Sequence, residues 1–274
     1  MAHDQELHDH DRGLSHDLPT LLSRRRALTL FGGAGLAAAL AGCGISGGDD
    51  GSGSATTTSS AAGTAAAGTQ IPEETAGPYP GDGSNGVNVL TESGIVRSDI
   101  TRSFGSASGV AAGVPLTIQL KVLDSGDSFR GLQGAAVYLW HCNIDGAYSL
   151  YSEGITQENY LRGVQETGSD GSVGFTSIYP AAYSGRWPHI HFEVYPSLQA
   201  ATTASGKLRT SQLALPEEAC QLVYATDGYR QSQQNMAQTS LDSDNVFSDG
   251  YSLQLATVTG NVTDGMTASL NVPV

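Results

Sequence analysis

Of the seven histidines in the 274-residue chain, four (His3, His8, His10 and His16) lie upstream of a basic-then-apolar segment of the export-signal kind. That leaves His141, His189 and His191 for chemistry in a folded part. In Trp187-Pro188-His189-Ile190-His191-Phe192-Glu193-Val194 the last two alternate with Ile190, Phe192 and Val194. Side chains alternate between the faces of a strand, so both imidazoles leave one face, near enough to share a metal ion, and the apolar set leaves the other. The same spacing also suits two polar residues on a solvent face. Two phenols stand in the surrounding sequence: Tyr183, in the turn Pro180-Ala181-Ala182-Tyr183-Ser184-Gly185, and Tyr148, after Asp145-Gly146. Singly, each is an ordinary core or rim tyrosine with a satisfied hydroxyl. Together, two phenolates and two imidazoles make a hard, electron-rich donor set that favours Fe³⁺ over Zn²⁺ or Cu²⁺. A second donor set, His141 with His189 and His191, would instead suit Cu or Zn.

Such residues need a rigid scaffold, and from Val114 the chain reads as strands. Leu116, Ile118, Leu120 and Val122 alternate with Thr117, Gln119 and Lys121, the period of a half-buried strand. Similar runs are expected at 135–142, 172–178, 187–194, 219–225, 252–258 and 266–272, punctuated by Asp145-Gly146, Asp170-Gly171, Asp227-Gly228 and Asp249-Gly250. Short strands so punctuated predict an all-β antiparallel sandwich with long loops and little helix, the best helical stretch being 229–239. No Gly-rich phosphate loop, Gly-x-Ser-x-Gly elbow or His-Glu-x-x-His motif is present.

Residues 1–42 read as a signal: Arg24-Arg25-Arg26 precede the apolar run from Ala27 to Gly42, which is too short and too weakly apolar for a comfortable membrane span. The pattern resembles a twin-arginine signal, and Leu40-Ala41-Gly42-Cys43 a lipobox that would make Cys43 the lipidated first residue. Residues 43–70 are, after Cys43, mostly Gly, Ser, Thr and Ala with two Asp and only one large apolar residue, Ile45, and read as a tether. Residues 71–274 form the domain, so the protein is expected outside the cytoplasm, touching membrane only through its lipid. The formal charge of −14 disfavours nucleic acid and anionic membrane surfaces. With Cys43 lipidated, Cys142 and Cys220 remain, either as a disulfide in an oxidising compartment or as two separate buried thiols.

The chain resembles the intradiol ring-cleavage dioxygenases, the catechol, protocatechuate and hydroxyquinol enzymes. The resemblance is carried by Glu74-Thr75-Ala76-Gly77-Pro78-Tyr79, Leu139-Trp140-His141-Cys142-Asn143 with Gly146-Ala147-Tyr148-Ser149, Leu161-Arg162-Gly163, and Tyr179 through Phe192. It implies a transthyretin-like (prealbumin-like) sandwich in which Tyr148, Tyr183, His189 and His191 bind Fe³⁺. Arg186 is implied as the active-site arginine, Gln221 as a glutamine near the site and Tyr79 as a pocket-lining tyrosine; His141 is not a ligand. The implied reaction takes a catechol and O₂ to a muconate-type diacid, Tyr183 giving way as the substrate binds. Taken without the resemblance, Arg186 also suits a surface ion pair, Gln221 a strand-pairing amide, and the whole domain a binding module without turnover. The soluble catechol enzymes carry an N-terminal helical dimerisation region, where this chain has a tether, so the resemblance sets no oligomeric state.

Overall fold

Strand β1 (Pro115–Asp124) realises the alternation: Leu116, Ile118, Leu120 and Val122 are buried. Along one edge it pairs with β5 (Ser172–Ile178) and the two-residue β2 (Arg130–Gly131), both antiparallel. Along the other edge runs β9 (Gly265–Pro273), followed by β8 (Thr257–Asn261). The β1–β9 pair is parallel, which departs from a purely antiparallel expectation. The second sheet, antiparallel throughout, has the order β4 (Arg162–Glu166), β3 (Ala136–Trp140), β6 (His189–Tyr195), β7 (Arg209–Ala214). The computed structural model describes residues 69–274; the expected signal, Cys43 and the tether up to residue 68 lie outside the described residues.

The core lies between the sheets, where Ile118 and Leu120 of β1, Phe175 of β5, and Ile190, Phe192 and Val194 of β6 are all buried. Each such side chain contributes roughly 1.5–3 kcal/mol. The outer face of β6 is not solvent-exposed as a half-buried strand would be, because all seven of its residues are buried. Loops and the segment before β1 cover it, adding a second apolar cluster that includes Val89, Leu90, Ile95, Tyr138, Trp140 and Tyr148.

The stretch 219–225, expected as a strand, is helix α1 (Glu217–Tyr224). Its buried Ala219, Cys220, Val223 and Tyr224 recur at helical spacing, Pro216 precedes it, and Glu217 and Glu218 complement the dipole of the first turn. Helix α2 (Arg230–Met236) falls inside the expected 229–239. The expected strand at 252–258 begins only at Thr257, as β8, after a turn region. Strands β4 and β7 had no expectation at all: Gly163 interrupts the apolar pattern of one, and the other reads Arg-Thr-Ser-Gln over its first four residues.

Candidate metal centre

One register row across the second sheet lays out the site. Arg162 on β4 faces Trp140 on β3, Trp140 faces His191 on β6, and His191 faces Gln212 on β7. Directly opposed residues share a face, so all four side chains leave the sheet on its outer side. His189 joins them two positions along β6. The segment 75–80 roofs this row: Gln212 Nε2 donates to the Thr75 carbonyl at 2.9 Å, and Arg162 Nη1 to that of Pro80 at 3.0 Å. Midway, Gly77 passes so close that a Cβ there would meet His191 Cε1 at 3.3 Å, and its φ of +71° is one that only glycine adopts freely.

The loop after β3 brings Tyr148, and the loop before β6 brings Tyr183. They meet where Gly146 has a φ of +78° and where any Cβ would collide with Tyr183 Cβ at 2.9 Å. Tyr183 Oη lies 3.1 Å from His189 Nε2, which lies 3.1 Å from His191 Nε2. Since His189 Nδ1 faces the Trp187 carbonyl, an acceptor only, the proton sits on Nδ1 and Nε2 presents its lone pair. His191 is oriented differently: its Nδ1 has no partner, and its ring stacks on Trp140 at 5.0 Å and 6°. Tyr148 Oη is buried without a well-formed hydrogen bond, its ring 6.1 Å from that of Tyr183 and 6.3 Å from that of His191.

The electrostatics suit a cation. Burial, reinforced by Arg186, holds His189 well below the usual imidazole range; burial and then His189 do the same for His191. Both rings are therefore neutral. Burial raises Tyr148 well above the phenol range, with Tyr183 adding to it, and pushes Tyr183 up to about 12 despite Arg186. Neither phenol ionises there unless a strong positive charge arrives. A buried hydroxyl without a well-formed hydrogen bond, beside the His189 lone pair and the His191 ring, is a costly arrangement that a hard cation would relieve. The donor set thus fits a ferric ion.

His141 stands apart, its Nε2 engaged by Ser177 Oγ at 2.7 Å and its Nδ1 by the Cys142 carbonyl at 2.8 Å. With both ring nitrogens so engaged, His141 does not join His189 and His191 as the Cu or Zn triad would require.

Arg186 lies at the cluster, Nη1 3.4 Å from His189 Nε2. Burial works to lower its pKa, but Tyr183 and Asp244 outweigh this and raise it. Tyr79 packs its ring 4.9 Å from Tyr148 and 5.3 Å from Tyr151. Two expectations fail. Gln221 is exposed on α1 and donates to Glu217 Oε1 at 2.8 Å, because the helix turns it away from the apolar face. Cys142 and Cys220 are unbonded: the first thiol faces the Ala181 carbonyl at 3.6 Å, the second the Tyr179 hydroxyl at 3.2 Å. Each lies in a different apolar cluster.

Two residues escaped sequence reasoning. Gln212, fully buried, accepts from Arg186 Nη2 at 2.7 Å and occupies the place expected of Gln221. Asp244, also fully buried, accepts from Arg186 Nε at 2.9 Å. Gln212 could have been found only by knowing the register of β7, and Asp244 sits in an ordinary polar loop.

A protein-family model described as a dioxygenase matches residues 92–205, a span holding Tyr148, Tyr183, Arg186, His189 and His191 but not Tyr79, Gln212 or Asp244. Chlorocatechol 1,2-dioxygenase of Rhodococcus opacus is 30% identical over 91 residues, 29% of this chain and 35% of its own. The match therefore spans about a third of that relative's length. The solved intradiol ring-cleavage dioxygenase from Tetranychus urticae superposes with a TM-score of 0.58 at 23% identity, over 75% of this chain and 94% of its own. At that identity the likeness is one of fold.

Proposed function

We propose that this chain belongs to the intradiol ring-cleavage dioxygenases and is a non-haem ferric dioxygenase that opens catechol-type rings between their two hydroxyls to give muconate-type diacids, a reading that the family-model match and the chlorocatechol 1,2-dioxygenase likeness support. The observation that carries the proposal is the convergence of Tyr148, Tyr183, His189 and His191, with Tyr148 Oη buried beside Tyr183 and without a well-formed hydrogen bond. These four residues would hold the iron. When bound, ferric iron supplies Lewis acidity that draws electron density from a catecholate and makes its ring reactive toward O₂.

The chain's own residues do the rest. His189 and His191, neutral at working pH, complete the donor set without adding charge. Arg186 holds a fixed positive charge beside the cluster, placed to stabilise negative charge that builds on the ring. Tyr183 Oη, beside His189 and Arg186, would be a phenolate only with the cation bound, and as such is the site able to take up a catechol proton as the substrate enters. Tyr79 presents an aromatic wall for the ring. Arg24-Arg25-Arg26 and the sequence ending at Cys43 support export and lipid anchoring, which mass spectrometry of the mature N-terminus would test.

The deciding experiment is aerobic incubation of the iron-loaded protein with catechol, protocatechuate and hydroxyquinol, following the ultraviolet absorbance of muconate-type products. Turnover of any of them, by a preparation coloured by tyrosinate-to-iron charge transfer, is expected. Full iron loading with no product from any of the three would refute the proposal for simple catechols.

A further inference from the structure

Arg162, in the Leu161-Arg162-Gly163 stretch, has no part in the chemistry above, yet its placement is unusual. It is 1% exposed and makes no ion pair among the described residues. Its partners are all neutral oxygens. Nε donates to Ser149 Oγ at 3.1 Å and Nη2 to the Ser149 carbonyl at 3.0 Å. Nη1 donates to the Pro80 carbonyl at 3.0 Å and to Tyr138 Oη at 3.1 Å. The guanidinium also lies 5.4 Å from the centre of the Tyr151 ring. A buried cation without a carboxylate is costly, and only a full set of donated bonds makes it tolerable.

What those bonds connect gives them meaning. Ser149 follows Tyr148, and Pro80 follows Tyr79, the two tyrosines whose rings stand 4.9 Å apart at the cluster. One planar fork therefore grips the main chain beside both, and its rigidity fixes their separation in a way that a flexible ammonium could not. The backbone around the grip is strained. Leu150, next to Ser149, has a φ of +72°, and Leu161, next to Arg162, a φ of +56°. Leucine rarely enters this left-handed region, and such strain persists only where the surroundings over-determine the conformation. Gly81, beside Pro80, leaves room for the fork, since a Cβ there would stand 3.1 Å from Nη1.

We infer that Arg162 is a positioning residue that clasps Ser149 and Pro80 and thereby sets both the aim of Tyr148 Oη and the packing of the Tyr79 ring against Tyr148 that shapes the wall a substrate ring meets. The inference rests on the proposed role of Tyr148 as a ligand. The clasp touches neither substrate nor metal.

The test uses the full chain loaded with Fe³⁺ and compares Arg162→Lys, Arg162→Met and Ser149→Ala with wild type. Three measurements are made: the maximum of the visible tyrosinate band, KM and kcat for 4-methylcatechol, and the thermal midpoint. Ser149→Ala, which removes one acceptor at little cost in volume, should bind iron and shift the band. Its KM should rise roughly 10-fold with a smaller change in kcat, the size expected when a support behind a ligand is lost. Arg162→Lys, keeping the charge but not the fork, should behave like Ser149→Ala or worse, and Arg162→Met should be the most affected. An unmoved band and unchanged KM in Ser149→Ala would overturn the inference, whether or not the Arg162 variants fold. A colourless wild type would overturn the ferric reading and this inference with it, whereas a coloured wild type with unaltered variants would overturn the clasp alone.

Discussion

Asp244 holds Arg186 along one edge of its guanidinium, accepting from Nε at 2.9 Å and from Nη2 at 3.4 Å, while Gln212 accepts from Nη2 at 2.7 Å. The carboxylate is itself fixed by the backbone amides of Trp187, Val246 and Phe247 at 2.7, 2.8 and 3.2 Å. An arginine needed beside a metal centre would otherwise swing on a long side chain, and this pair leaves Nη1 aimed at His189.

Asp244→Asn keeps the shape but loses the charge and places donors where acceptors are needed. Breaking a buried pair costs roughly 3–5 kcal/mol of stability. A fall in kcat/KM of about 100-fold, with iron content maintained, is expected if Arg186 loses its aim. Denaturant melts and iron-normalised kinetics check both.

Tyr148→Phe and Tyr183→Phe each delete one phenol oxygen from the cluster. Each variant should weaken iron binding roughly 10- to 100-fold and shift or bleach the visible band, with Tyr148→Phe costing the metal-free form little stability because its buried hydroxyl has no well-formed hydrogen bond to lose. Chelator competition and apo-protein melts are the measurements. Unchanged iron affinity in both variants would point to a site that does not use phenols.

Trp140→Leu tests the stack that orients His191 in place of a hydrogen bond at Nδ1. Truncating this fully buried ring should cost about 3 kcal/mol and lower iron affinity, whereas Trp140→Phe should retain most of both. Comparing the two by chelator competition separates stacking from bulk.

Burial raises the Glu193 carboxyl from 4.5 to about 7, although Lys207 Nζ at 2.6 Å and Tyr195 work to lower it. In this window the folded state binds more protons than the unfolded, so stability is fully present below pH 4.5 and declines as pH rises through about 7. Lys207 is raised above 10.5 by the same pairing, so its favourable contribution is lost only in more alkaline solution. Urea unfolding across pH 4.5 to 7 should show the decline, and Glu193→Gln should reduce its slope, the rest coming from Glu74, which burial also raises to about 7.

With Cys142 and Cys220 as separate buried thiols, a reducing agent should leave the thermal midpoint unchanged. Both cysteines should also be alkylated once the protein is denatured without reduction. Recovery of a Cys142–Cys220 cross-linked peptide would show that the thiols pair after all.

The alternation of residue types made β1 and β6 legible, because period two is written into adjacent residues. The misassigned α1 shows the limit: Ala219, Cys220, Val223 and Tyr224 are apolar enough for either element, and only packing against the core chose the helix. That choice also turned Gln221 outward and separated Cys220 from Cys142.

By itself the sequence determined that His189 and His191 leave one face of a strand, that Tyr183 and Arg186 closely precede them in the chain, and which family motifs they and Tyr148 match. Only the tertiary structure decided that Gln212 stands opposite His191, that Asp244 fixes Arg186 from 58 residues away, and that Arg162 grips the chain beside Tyr79 and Tyr148. Side-chain type and local period are properties of neighbouring residues. Strand register and loop closure depend on contacts between distant ones, and a shift of one residue would have turned the whole row to the other face.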